Sequence, residues 1–151
     1  MKAAVEIIAL TLIYSLESFF PLFRGRKGRV QHAAHNLSLG IINVIVVSAL
    51  FSSLLALDAA WTQERSLGLL ALFPLPFWFE TLGVFVLFDF WMYVFHRANH
   101  QVPFLWRFHR THHSDTQVDV TTALRFHTGE IIVSSLFKLM LIPFFGMTLG
   151  Q

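Results

Sequence analysis

The sequence predicts an all-α membrane protein with three to four transmembrane helices and a cytoplasmic, histidine-rich metal-binding region. Of its 151 residues, 55% are hydrophobic and only 13% are charged, whereas a soluble domain of this size needs a more polar surface. Several apolar runs approach the roughly 20 residues that a helix needs to cross a bilayer. Six of the eight histidines follow the third of these runs, within 32 residues.

Four apolar segments are candidate spans, and in chain order they cover residues 3–23, 37–57, 77–95 and 131–149. The second has no charged residue and is the clearest span. The first and third contain acidic residues, and the fourth contains Lys138 and Pro143. Residues 67–73 are too few to cross, and the prolines at positions 74 and 76 indicate an interfacial turn before the third span.

The basic residues predict which side of the membrane each connection occupies. Four lie between positions 24 and 29, and four more lie in the histidine region, 96–127. The connection at residues 58–66 has only Arg65. The positive-inside rule therefore places the first connection and the histidine region in the cytoplasm. The formal net charge of +2 gives no reason to expect nucleic-acid binding.

Five of the histidines fall into two groups with helical spacing. Residues at i, i+3 and i+4 lie on one face of a helix, so each group presents its rings together. The groups are His96 with His100, and His109 with His112 and His113. Imidazole clusters bind borderline metals such as iron, zinc, copper or nickel. The chain has no cysteine, which excludes disulfides and thiolate ligands.

Two further side chains share the predicted face of the first group. Asp89 and Tyr93 fall within about 60° of His96 and His100 when the segment is read as one helix. A carboxylate there could orient an imidazole through its second ring nitrogen, and an acid inside a membrane segment suggests a function. In the alternative interpretation, Asp89 pairs with an arginine or faces water at the helix end.

Three other histidines stand outside the two groups. His127, with Glu130 three residues later, lies close enough in sequence to be a ligand or the neighbour of one. His32 and His35 are also spaced i, i+3, but they follow the basic connection, where an interfacial role is more frequent than metal ligation. Asn36 beside them could cap the second span.

Three stretches resemble known sequence motifs. Residues 89–100, DFWMYVFHRANH, resemble the first histidine box of the fatty acid hydroxylase and sterol desaturase superfamily, and residues 109–114, HRTHHS, resemble the second. Residues 121–130, TTALRFHTGE, are similar to the conserved stretch that follows. The resemblance is closest over residues 77–151. Motifs of zinc proteases, α/β-hydrolase nucleophiles and phosphate loops are not found in the sequence.

Membership in this superfamily implies an integral membrane di-iron oxygenase. Such enzymes use O2 and electrons from an external reductase or electron carrier to hydroxylate or desaturate a C–H bond of a lipid. The resemblance implies that Asp89 and Glu130 support the metal ligands, and Tyr93 shares the helix face of Asp89. The implied iron ligands are His96, His100, His109, His112, His113 and His127.

Two departures from the family pattern bear on function. Thr128 stands where the family usually has proline, and the third box, His-x2-His-His, does not occur before Gln151. We therefore expect residues 1–151 to be a single membrane domain, either the N-terminal part of a longer fatty acid hydroxylase-like domain or a truncated or degenerate member. Two alternatives stay open: a non-catalytic truncated or split membrane protein with a partial metal site, and an electron carrier resembling a b-type cytochrome.

We predict that the 151-residue chain alone does not oxidise a lipid, because six histidines are few ligands for two irons. The chain and its longest encoded form would each be reconstituted with iron and a reductant system and assayed for O2-dependent lipid oxidation. Equal activity of the two forms would show that six histidines suffice.

Overall fold

The computed structural model describes residues 2–20, 28–73 and 75–147, which form α-helices joined by short 3-10 turns. The five helices are α1 (Lys2–Phe19), α2 (Arg29–Glu64), α3 (Phe77–Gln101), α4 (Pro103–His113) and α5 (Thr128–Phe145). The 3-10 turns are Leu70–Leu72 and Val120–Leu124. No β-strand occurs among the described residues, so the prediction of an all-α protein is confirmed.

Among the described residues, three helices are long and apolar enough to cross a membrane, namely α2, α3 and α5. The apolar part of α1, Ile7–Phe19, is shorter, and the end of the span predicted over residues 3–23 lies outside the described residues. The predicted interfacial segment before α3 forms the 3-10 turn Leu70–Leu72. The chain therefore has the multi-pass helical architecture that its apolar segments predict.

Helix α2 is longer than the bilayer requires. Its 36 residues extend about 54 Å at 1.5 Å per residue, against a hydrocarbon core of roughly 30 Å. The predicted connection at residues 58–66 is wrong in its first part, because α2 continues through Glu64. Residues 58–64 contain no glycine or proline, and Ala59 and Ala60 are strong helix formers. The helix is therefore longer than the apolar layer is thick.

A proline sets the turn between the two histidine groups. Helix α3 ends at Gln101, Val102 is extended with φ −92° and ψ 115°, and Pro103 is the first residue of α4. A residue before proline disfavours the α conformation, and proline itself is well suited to the first turn of a helix. The chain therefore changes direction immediately after His100, which lets α4 fold back against α3.

Helices α2 and α5 pack side by side and run in the same direction. Near the start of α5, the side-chain amide of Asn43 donates to the carbonyl of Phe126 at 2.9 Å. At the other end, the backbone N–H of Leu69 donates to the carbonyl of Phe144, also at 2.9 Å. There a Cβ on Gly68 would lie 2.1 Å from the backbone nitrogen of Gly146. Only glycine permits this close approach.

The N-terminal end of α2 and the histidine region lie at the same end of the helix bundle. His32, in the first turn of α2, is 2.9 Å from Asp115, which follows the second histidine group. Arg65, just after α2, lies at the opposite end of that helix. This arrangement agrees with the prediction from the basic residues that the first connection and the histidine region lie on the same side of the membrane. Positions 24–27 of that connection lie outside the described residues.

We predict that cysteines introduced at Arg65 and Arg110 are labelled from opposite sides of the membrane. Both side chains are exposed, and the chain has no native cysteine to react. An impermeant thiol reagent applied to sealed vesicles of known orientation should modify R110C from the cytoplasmic side and R65C from the other. Labelling of both from one side would contradict α2 as a membrane span.

Candidate metal centre

Four histidine rings converge where α3 meets α4. The Nε2 atoms of His96 and His100 are 3.2 Å apart, and those of His109 and His113 are also 3.2 Å apart. One ligand atom from each of the four lies within 4.8 Å of all the others. Each pair is spaced i, i+4, so one turn of helix separates its two rings.

These spacings fit coordination of a metal ion by imidazole. Two nitrogens bound to one ion at about 2.1 Å lie about 3.0–3.4 Å apart in tetrahedral or octahedral geometry, and both histidine pairs are within that range. Imidazole nitrogens suit zinc, copper, iron and nickel. The residues present therefore fit the type of metal that the family resemblance implies.

Trp106 covers part of the cluster from α4. Its ring centroid lies 5.4 Å from that of His100 and 5.7 Å from that of His113. His96, His100 and His113 are nevertheless exposed, whereas His109 is 0% exposed. The cluster thus has one deeply packed ring and three rings that face outward.

A buried carboxylate orients the packed ring. Oε1 of Glu130, on α5, lies 2.8 Å from Nδ1 of His109 and accepts a hydrogen bond from the side-chain amide of Asn99 at 3.1 Å. Glu130 and Asn99 are 6% and 2% exposed. Because a carboxylate accepts, Nδ1 of His109 carries the ring proton and Nε2 presents its lone pair to the other histidines.

Two rings of the second histidine group, His109 and His113, lie in surroundings that favour the neutral imidazole. Burial, followed by the charges of His100 and His112, lowers the pKa of His109 to about 4. Partial burial and the neighbouring imidazoles lower the pKa of His113 as well. A metal ligand must have an unprotonated nitrogen, so the surroundings of these rings favour metal over protons near neutral pH.

Two of the predicted ligands are outside this group of four. The ring of His112 stacks on Phe126 at 4.8 Å, and its Nδ1 is buried without a partner in the described part of the chain. His127 is exposed and begins α5, where its Nδ1 accepts a hydrogen bond from the N–H of Gly129 at 3.0 Å. Ligation by His112 and His127 stays a prediction.

The two side chains predicted to share the face of the first pair are exposed. Asp89 makes no hydrogen bond or ion pair with any residue that the structure describes, and the hydroxyl of Tyr93 accepts one from Arg97 at 3.4 Å. A supporting role for either side chain stays a prediction. Glu130, the other acid that the resemblance named, is the one that contacts a histidine, His109.

Sequence reasoning missed Asn99, the buried partner of Glu130. It lies inside the first box, one residue before His100, and a buried amide on the histidine helix has no distinctive spacing of its own. His32 is also partnered in a way that its sequence position does not predict, since both of its ring nitrogens face carboxylates. His35 is exposed and has no partner among the described residues.

Comparison with known proteins finds similarity to the family that the histidine motifs resemble. The model of the family described as fatty acid hydroxylase matches residues 81–151. Alkylglycerol monooxygenase of Homo sapiens is 31% identical over 140 residues, which cover 90% of this chain and 30% of that protein. The Xenopus tropicalis alkylglycerol monooxygenase is 30% identical over 125 residues, covering 82% of this chain and 27% of that protein.

A shorter similarity covers part of a fungal protein. The fatty acid hydroxylase vlmA of a Lecanicillium species is 48% identical over 42 residues, which cover 24% of this chain and 12% of that protein. No solved structure matches the chain. The chain spans less than a third of the length of the curated relatives it matches.

We predict that Glu130→Ala weakens metal binding by about 10- to 100-fold, the usual effect of removing a group that orients a ligand. The substitution leaves the Nδ1–H of His109 buried without an acceptor. Glu130→Gln should cost less, because its amide oxygen can still accept that proton. Affinity would be measured with Co(II) by competition with a chelator.

Asp89→Asn, on α3, tests the predicted orienting role of Asp89 in the same assay. A lower affinity would support that role, and an unchanged affinity would contradict it. A Glu130→Ala variant that binds Co(II) as the wild type does would contradict the orientation of His109 by Glu130.

Proposed function

This chain belongs to the fatty acid hydroxylase and sterol desaturase superfamily, and we propose that it is a membrane-bound, iron-dependent oxidoreductase that uses O2 to hydroxylate or desaturate a lipid. The observation that carries the proposal is the convergence of four imidazoles at the end of apolar helices. At that position a metal ion and a lipid chain can meet.

In this proposal the histidines hold iron, and Glu130 and Asn99 orient one of them. Iron held by the histidine nitrogens would supply O2 activation and the oxidation of an unactivated C–H bond. Glu130 and Asn99 hold His109 in one tautomer and one orientation. The ring of His109 is excluded from water, and its contact with Glu130 leaves Nε2 facing His113 before metal binds.

A centre with two irons needs more nitrogen ligands than the four that converge. We propose His112 and His127 as additional ligands. The ring centroid of His112 is 5.8 Å from that of His109 and 5.2 Å from that of His113. His127 would have to release the N–H of Gly129 to reach the metal. Neither side chain belongs to the four-histidine group.

The substrate in this proposal is a lipid whose alkyl chain enters from the bilayer. A groove of about 300 Å³ between α2 and residues 123–131 is lined mostly by apolar side chains, among them Val44, Leu124 and Ile131. Phe126 also lines it and stacks on His112. An alkyl chain in the groove would approach the centre from its apolar side.

Electrons would reach the centre from its polar side. His96, His100 and His113 are exposed, which suits access by an external reductase or electron carrier. The basic residues predict that this side is cytoplasmic. The names of the relatives suggest alkylglycerols and fatty acids as the first substrates to test, with sterols as a further class.

The alternative function is a non-catalytic membrane protein with a partial histidine site. It is favoured by the number of converging ligands, because four nitrogens suit a single ion such as Zn²⁺. A ratio of one tightly bound metal ion per chain, with no lipid oxidation, would support this alternative over the proposed oxidoreductase.

We predict that the protein in its longest encoded form, purified in nanodiscs and loaded with iron under reducing conditions, oxidises a lipid in an O2-dependent reaction. The product would be identified by mass spectrometry, with 18O2 to show the origin of any hydroxyl oxygen. Alkylglycerol, fatty acyl and sterol substrates would be compared.

Alanine variants test which histidines are needed for iron binding and lipid oxidation. His96→Ala and His109→Ala should abolish product formation and lower the bound iron, because each removes a converging nitrogen. His35→Ala should leave both unchanged, because His35 is exposed and without a described partner. Full activity of His109→Ala would refute the proposed centre.

A further inference from the structure

A second buried polar cluster lies at the N-terminal end of α2, apart from the four converging histidines. His32 and Asn36 project from α2 toward residues 115–125, which connect the second histidine group to α5. Asn36 is 0% exposed, and the side chains of Asp115 and Asp119 are 3% and 1% exposed. Burial of so many polar groups is tolerated only when they are bonded to each other.

His32 lies between two carboxylates. Its Nε2 is 2.9 Å from Oδ1 of Asp115, and its Nδ1 is 3.2 Å from Oδ2 of Asp119. Ionised carboxylates only accept hydrogen bonds, so both bonds exist together when the imidazole carries a proton on each nitrogen. The ring therefore bridges the two carboxylates, and neither of its nitrogens is free to bind metal.

The carboxylate of Asp115 has other hydrogen-bond partners besides His32. The Gln117 N–H donates to its Oδ1 at 2.9 Å, and the Asn36 side-chain amide lies 3.4 Å from its Oδ2. The Thr122 hydroxyl lies 2.6 Å from the carboxylate.

The cluster continues to the helix that carries the second histidine group. The Asn36 amide donates to Thr121 at 3.0 Å, and its oxygen accepts from Arg125 at 3.1 Å. Arg125 in turn donates from Nε to the backbone carbonyl of Thr111 at 3.1 Å. This carbonyl is in the last turn of α4, two residues before His113, where a cation stabilises the helix end.

We propose that His32 is a positioning residue for the metal centre: as a cationic bridge between Asp115 and Asp119 it anchors residues 115–125 to α2, and through Arg125 it sets where the end of α4 presents its histidines. This inference rests on the proposed metal site. It assigns to α2 a part in a centre whose converging ligands all come from α3 and α4.

The test separates charge from side-chain size. His32→Gln has similar bulk but no charge, and it cannot bridge two carboxylates. His32→Arg keeps the charge and offers donors to both. We expect the Co(II) affinity of the folded protein, measured by chelator competition well below the unfolding temperature, to fall about 10- to 100-fold in His32→Gln and to recover most of that loss in His32→Arg. His35→Gln, three residues along α2, is the control and should bind Co(II) like the wild type.

The absorption bands of bound Co(II) give a readout that stability alone does not change. In His32→Gln the bands should shift in position or intensity, because the ligands of α4 are displaced. A variant that only lowers the unfolding temperature, with Co(II) affinity and spectrum unchanged, would overturn the proposal. Equal losses in His32→Gln and His32→Arg would also overturn it.

A second measurement does not depend on a variant that folds. If the bridge couples residues 115–125 to the centre, Co(II) binding to the wild-type protein should slow hydrogen exchange in that segment. The exchanging groups include the Thr121 N–H, which donates a hydrogen bond to Oδ1 of Asp119 at 2.8 Å. Unchanged exchange there would contradict the coupling. A wild-type protein that binds no Co(II) would refute the metal site itself, whereas binding that is insensitive to His32→Gln would refute only the role of His32.

Discussion

One buried carboxylate joins the three helices that build the candidate centre. Glu130 of α5 bonds to His109 of α4 and to Asn99 of α3, all three nearly excluded from water. A buried carboxylate without partners is costly, so the three helices must keep the arrangement that gives Oε1 of Glu130 its two partners. The same arrangement decides which nitrogen of His109 faces the other rings, and it therefore links the stability of the fold to the chemistry of the site.

Helix α2 supplies the frame around that contact. In a bilayer each helix satisfies its own backbone, so apolar burial says little about how neighbouring helices are rotated or shifted. Polar contacts and small residues provide that information here. His32 and Asn36 hold the connection after α4, and Gly68 lets the far end of α2 approach Gly146 of α5. One long helix thus sets the position of elements at both ends of the bundle.

The sequence by itself determined the features that are local in the chain. Long apolar runs predicted the helices that can span a membrane, because length and hydropathy suffice for that. The i, i+4 spacing of His96 with His100, and of His109 with His113, predicted rings that share a helix face, since 3.6 residues make one turn. The motif resemblance predicted the superfamily, which the comparisons confirm.

Only the tertiary structure decided which partners those rings meet. Spacing treats His112 and His113 alike, but the structure brings His113 into the four-histidine group and stacks His112 on Phe126. The resemblance named both Asp89 and Glu130 as supporting residues, and the structure shows a bond to His109 for Glu130. The pairing of His32 with Asp115 spans 83 positions. Helical periodicity reports the direction of a side chain within its own helix, whereas these contacts depend on how separate helices pack, and no spacing along one helix encodes that.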